Sequence, residues 1–279
     1  MDSLQAIILG AVQGLTEFVP ISSSAHLIIL PWLLDWKTPG LIFDVSLHVG
    51  TLLALLSYFW REWYDMIKAY LGTTRLARSP GAITPALPEK DGMLLWPLIL
   101  ACVPAVLAGM ALEGVVEHSF RHPALIGVSM IVLAVFLLIA DRVGEKTRPM
   151  HGVTARDWII IGLAQALAII PGVSRSGVTI TAGLFCGLKR EASARFSFLI
   201  GAPIILGAAV YKLRELFTVG IPADEVLPFL LGVLTATFVG YLCIGFLIAY
   251  LQKRSTGLFV VYRLLFGLGA ILLYGLRGV

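Results

Sequence analysis

Long apolar runs, broken by short polar stretches, fill almost the whole chain. They predict helices at roughly 4–18, 23–35, 43–60, 93–112, 123–140, 157–170, 175–187, 194–211, 226–250 and 257–276. A helix needs about 20 residues to cross a bilayer. Four of these helices are shorter and come as two pairs, one folded about Pro20 and one about Pro171-Gly172. Each pair reads as a hairpin that enters and leaves on one side, because broken backbone at membrane depth must be shielded from lipid. The expected fold is an all-α integral membrane protein with six transmembrane helices and two re-entrant helical hairpins, a single membrane domain over residues 1–279. The longest polar connection is expected at about 61–92, rich in Arg, Pro and Gly.

The two halves repeat. At a constant offset of 152, Gly10, Gln13 and Leu15 align with Gly162, Gln165 and Leu167, and residues 21–25 (Ile-Ser-Ser-Ser-Ala) fall on residues 173–177 (Val-Ser-Arg-Ser-Gly). A hairpin followed by three crossings starts the second half on the opposite side. An inverted repeat, about 1–140 and 155–279, is therefore expected.

Composition agrees with a membrane protein: 58% hydrophobic, 14% charged, mean hydropathy +0.90. No basic segment precedes the first apolar run, so no cleaved signal peptide is expected. Cys102, Cys186 and Cys243 lack metal-ligand spacing and read as buried structural thiols. With six crossings, fourteen Lys and Arg, from Arg61 to Arg254, fall on one side, and five (Lys37, Arg121, Lys212, Arg214 and Arg277) on the other. The positive-inside rule makes the rich side cytoplasmic. The net charge of +4 thus speaks of orientation, and no nucleic-acid motif is present.

The breaks carry the candidate chemistry. A helix starting at Ser22 or Ser23, and another starting at Ser174, would aim unpaired N–H groups and positive dipole ends at one place. That favours an anion, phosphate above all, with Ser22, Ser24, Ser174, Ser176, Gly177 and Thr179 around it. Arg175 would add a planar donor fork. Ser23 and His26 lie three apart on one helix face, a spacing that suits a nucleophile and its base. Glu17 would orient His26 or hold a divalent cation with Gln13, one turn earlier; a plain ion pair with Arg175 is the simpler use. Arg263 reads equally as a partner for a carboxylate or for substrate phosphate. Asp44 and His48 read as structural, and His118, His122 and His151 carry little signal.

At these residues the sequence resembles the undecaprenyl-diphosphate phosphatase family, the bacitracin-resistance phosphatases. Its first motif, roughly E-G-L-T-E-F-L-P-V-S-S-T-G-H, is matched by residues 13–26, with Gln13 in place of the first glutamate, Ser24 for Thr and Ala25 for Gly. Its second, P-G-x-S-R-S-G, is matched in full by residues 171–177. The resemblance continues through Phe196-Ser197-Phe198, Pro203 and Tyr262-Arg263. It implies a multi-pass protein of the bacterial inner membrane that hydrolyses undecaprenyl diphosphate to the monophosphate carrier for cell-wall synthesis. The resemblance implies that Ser23, His26, Glu17 and Arg175 are essential; with the orientation set by Lys and Arg, the site is expected to face the periplasm or cell exterior, with Mg²⁺ or Ca²⁺ as cofactor. Bacitracin would compete for the lipid substrate, and a homodimer is allowed. The rival reading is a transporter or polyprenyl-phosphate flippase on the same inverted repeat, since a carrier needs the anion site and no nucleophile.

Overall fold

The computed structural model describes residues 1–36, 40–71, 95–120, 122–219, 222 and 224–277. Among the described residues eleven α-helices run in chain order: α1 Ser3–Phe18, α2 Ser23–Leu33, α3 Leu41–Tyr58, α4 Trp60–Tyr70, α5 Leu95–Ser119, α6 Pro123–Val143, α7 Ala155–Ala166, α8 Arg175–Phe185, α9 Arg190–Val219, α10 Val226–Lys253 and α11 Gly257–Arg277. Among the described residues α5, α6, α9, α10 and α11 are each long and apolar enough to cross a membrane. A sixth span is obtained only if α3 and α4 are taken together across a 72° bend. The expected all-α membrane fold is borne out.

The main departure lies at residues 61–70, the expected start of the polar connection. They form α4, with Trp60, Tyr64, Ile67 and Tyr70 exposed beside Arg61 and Asp65. Such a mixed face suits the bilayer interface, where aromatic rings and charges coexist. The rest of the 61–92 connection, from residue 72, lies outside the described residues. So do Lys37 and Arg121, and nothing is described of the side chains of His118, Lys212 and Arg214.

Packing between helices is close wherever side chains are small. α1 lies along α10, and a Cβ on Gly10 would come within 2.5 Å of the Gly232 carbonyl oxygen. α7 lies along α5, and a Cβ on Gly162 would come within 2.6 Å of the Ala101 carbonyl oxygen. Between spans in lipid, dispersion and short backbone contacts drive association, so glycine is required at such crossings. α11 packs on α6, α3 on both α9 and α10, and α8 between α6 and α9. Around this frame the core gathers Phe18, Phe59, Phe196 and Phe198, with the Phe18 and Phe198 rings edge to face at 5.3 Å.

The thiols are all free: Cys102 and Cys243 are buried as expected, whereas Cys186 is only half-buried. At the other end of α7, Asp157 closes a capping box with Thr154 and takes Arg148 as a bidentate partner, fixing where the second hairpin starts.

Candidate active site

Both helix pairs break at a serine held in left-handed backbone. Ser22 has φ 76°, ψ 98° and Ser174 has φ 71°, ψ 116°. Non-glycine residues adopt such values at a cost, and they persist only where the surroundings impose them. Each serine caps the helix that follows: Ser22 Oγ accepts from the Ala25 amide at 3.4 Å, Ser174 Oγ from the Gly177 amide at 3.0 Å. The helices therefore start at Ser23 and Arg175, the same position in the two aligned segments. One tip presents a hydroxyl where the other presents a guanidinium.

The tips touch. Ser176 Oγ, buried on the second, reaches the Glu17 and Val19 carbonyls at 3.1 and 3.2 Å. Arg263 of α11, fully buried, donates to the Pro20 carbonyl at 3.1 Å, to Gly172 at 2.8 Å, to Val173 at 3.3 Å and to Met130 at 3.1 Å. The sequence suggested a carboxylate or phosphate partner for this arginine. Instead the guanidinium satisfies carbonyls left over by the two breaks, which lipid could not.

Glu17 is the hub of the junction. Its Oε1 accepts from Arg175 Nη2 at 3.1 Å; its Oε2 accepts from Ser23 Oγ at 2.6 Å and from Gln13 Nε2 at 3.1 Å. His48 Nε2 stands 3.6 Å from the same Oε2, with Nδ1 turned to the Asp44 carbonyl at 2.8 Å. Arg175 also donates to the Ser197 carbonyl at 3.0 Å, anchoring it to α9. The ion pair is mostly buried, Glu17 at 6% and Arg175 at 11% exposure, so water screens it little.

Ser23 and His26 share no hydrogen bond among the described residues. His26 Nδ1 contacts the Ser22 carbonyl at 2.6 Å and Nε2 the Tyr262 hydroxyl at 2.6 Å, with the Phe266 ring 4.4 Å away. Several groups expected to face phosphate are engaged internally. Ser22 and Ser174 are caps, and the Gly177 amide serves Ser174. Thr179 Oγ1 bonds the Arg175 carbonyl at 2.7 Å and Ser197 Oγ at 2.6 Å. Ser24 Oγ lies 3.1 Å from Ser22 Oγ. Ser23 and Arg175, neither fully buried, head the two helices, where first-turn amides have no intrahelical acceptor.

His48, Tyr262 and Ser197 join this constellation although the sequence did not select them for it. Residues 196–198 and Tyr262 were noted only for their resemblance.

For a hard cation the donors are oxygen atoms: the Glu17 carboxylate and Gln13 Oε1, a buried atom with no hydrogen-bond partner. No cluster of three or more His, Cys, Asp or Glu suited to a metal occurs among the described residues. Gln13 turns Nε2 rather than Oε1 toward Glu17, so the two would offer oxygens to one cation only with the Gln13 amide reversed.

Fold and junction together define a polytopic membrane protein with a hydroxyl, a carboxylate and a guanidinium set at facing helix ends. Residues 6–269 match the family described as bacitracin resistance protein BacA. The chain is 49% identical to the undecaprenyl-diphosphatase of Moorella thermoacetica, covering 99% of this chain and 100% of that one. It is 45% identical to that of Desulforudis audaxviator, covering both chains fully, and 48% identical to that of Pelobacter propionicus over 100% and 99%. The chain belongs to the bacitracin resistance protein family.

Proposed function

We propose that this protein hydrolyses undecaprenyl diphosphate to undecaprenyl phosphate and inorganic phosphate. The single observation that carries the reading is the Ser23–Glu17–Arg175 array at the joined tips. Ser23 Oγ attacks the terminal phosphorus, the bond from that phosphorus to the bridging oxygen breaks and undecaprenyl phosphate leaves; water then hydrolyses the phosphoserine, releasing inorganic phosphate and restoring the hydroxyl. Glu17, already its hydrogen-bond acceptor, is the nearest group to take the proton. Arg175 and the first amides of α2 and α8 stabilise charge on the equatorial oxygens. His26, the base that spacing suggested, has both nitrogens engaged elsewhere, which supports a positioning task. Glu17 and Gln13 would hold the divalent cation, Mg²⁺ or Ca²⁺, which would neutralise phosphate charge when bound.

The protein would work in the bacterial inner membrane with the site facing the periplasm or cell exterior. The Lys and Arg asymmetry supports this. Inversion of the halves is supported by the way α1 pairs with α10 as α7 pairs with α5. Bacitracin would compete for the lipid diphosphate.

Purified protein in detergent should release inorganic phosphate from undecaprenyl diphosphate, because hydrolysis needs no sealed membrane. Absence of release, with uptake of polyprenyl phosphate restored in vesicles, would favour the flippase. Release that continues unchanged in a chelator would remove the cation from the account.

A further inference from the structure

The two tips share one backbone form, yet they differ in what holds it. At the second tip the Val178 amide donates to the Ser174 carbonyl at 2.9 Å, an ordinary first helical bond. At the first tip the matching bond, from the His26 amide to the Ser22 carbonyl, is stretched to 3.4 Å. There the His26 imidazole has taken the carbonyl over, Nδ1 to oxygen at 2.6 Å. His26 and Val178 are equivalent at the offset of 152, so the imidazole is an addition peculiar to the tip that carries Ser23.

The partners dictate how the ring is protonated. A carbonyl oxygen only accepts, so Nδ1 carries the hydrogen, and in the neutral ring Nε2 is left with a lone pair. That lone pair is in a buried place, where an unmatched acceptor is costly. The Tyr262 hydroxyl meets it at 2.6 Å, and the two rings lie nearly parallel, 16° apart with centroids at 5.7 Å. Phe266, one turn further along α11, packs the ring from another side at 4.4 Å. Tyr262 is followed directly by Arg263, which ties both tips, so its backbone is fixed relative to them.

We infer that Tyr262 is a positioning residue for the reaction. Its hydroxyl holds the His26 ring in the Nδ1–H form, the ring holds the Ser22 carbonyl, and Ser23 is thereby aimed at the phosphate site. This rests on the phosphatase reading for its consequence in turnover, but the contact itself can be observed without substrate.

The test uses full-length protein labelled with ¹⁵N in the histidine rings, with the His26 signals assigned by their loss in His26→Gln. Tyr262→Phe keeps the ring and removes only the hydroxyl. The Nε2 resonance of His26 should move toward that of an unbonded acceptor nitrogen. Turnover should fall at least about 10-fold while KM changes less than about threefold, since an aiming defect is felt in kcat. An unmoved Nε2 resonance, wild-type turnover, or a change confined to KM would each overturn the inference. If wild-type protein released no phosphate, the parent reading would fail, and the resonance would still decide whether Tyr262 holds His26.

Discussion

Glu17 gathers Arg175, Ser23, Gln13 and His48 around one carboxylate, and this makes it structural and chemical at once. Removing one member of a buried ion pair leaves the other charge uncompensated, a loss of about 3–5 kcal/mol where burial is complete. Arg175 is 11% exposed, so the lower end applies. Glu17→Gln should therefore lower the thermal midpoint in detergent as well as turnover, whereas Ser23→Ala should alter turnover with little change in midpoint. Calorimetry or a thiol-reactive unfolding assay on the two variants checks this, and an unchanged midpoint for Glu17→Gln would show that Arg175 finds another counter-ion. That Ser22, Ser23, Glu17, Arg175 and Ser174 come together was legible because they lie in two contiguous breaks. His48 was not, since its approach to Glu17 depends on how α3 packs against α1. The hydrogen bonding of His26 was also hidden: i,i+3 spacing put Ser23 within reach, but Tyr262, 236 residues away, supplies the bond that forms.

Helices were legible where apolar length and a proline or glycine break coincide, which is why α2 and α8 begin at the expected places. α4 was missed for a physical reason. Its apolar residues Trp63, Met66 and Ile67 recur at helical spacing, but Arg61, Glu62, Asp65 and Lys68 between them keep the segment too polar to span. Helix crossings depend on single glycines. At Gly162 the obstruction is backbone, the Ala101 carbonyl oxygen at 2.6 Å and its Cα at 2.8 Å, and backbone cannot yield as a side-chain end can. Gly162→Val should cost about 1–3 kcal/mol or more by forcing α7 from α5. Gly109→Ala in α5 meets nothing within 4 Å and should be neutral or slightly stabilising. Thermal unfolding of both variants in one detergent is the check; equal midpoints would mean the α5–α7 contact is looser than described.

At the scale of the whole molecule, two hairpins that are too short to span are useful only if they meet. Arg263 and Ser176 make them meet by consuming the carbonyls each break exposes, and the ion pair of Glu17 with Arg175 then brings the two helix starts into one electrostatic site. The same joining explains why neither tip alone would serve: one brings the hydroxyl, the other the cation, at equivalent positions. The central claim is that Ser23, held by Glu17 and facing Arg175, is the attacking group. Phosphate release from undecaprenyl diphosphate by purified, folded Ser23→Ala, measured beside wild-type protein in detergent, tests it most directly. A fall of at least about 10²-fold is predicted, as expected for loss of a nucleophile. Release within a few-fold of wild type would contradict the account.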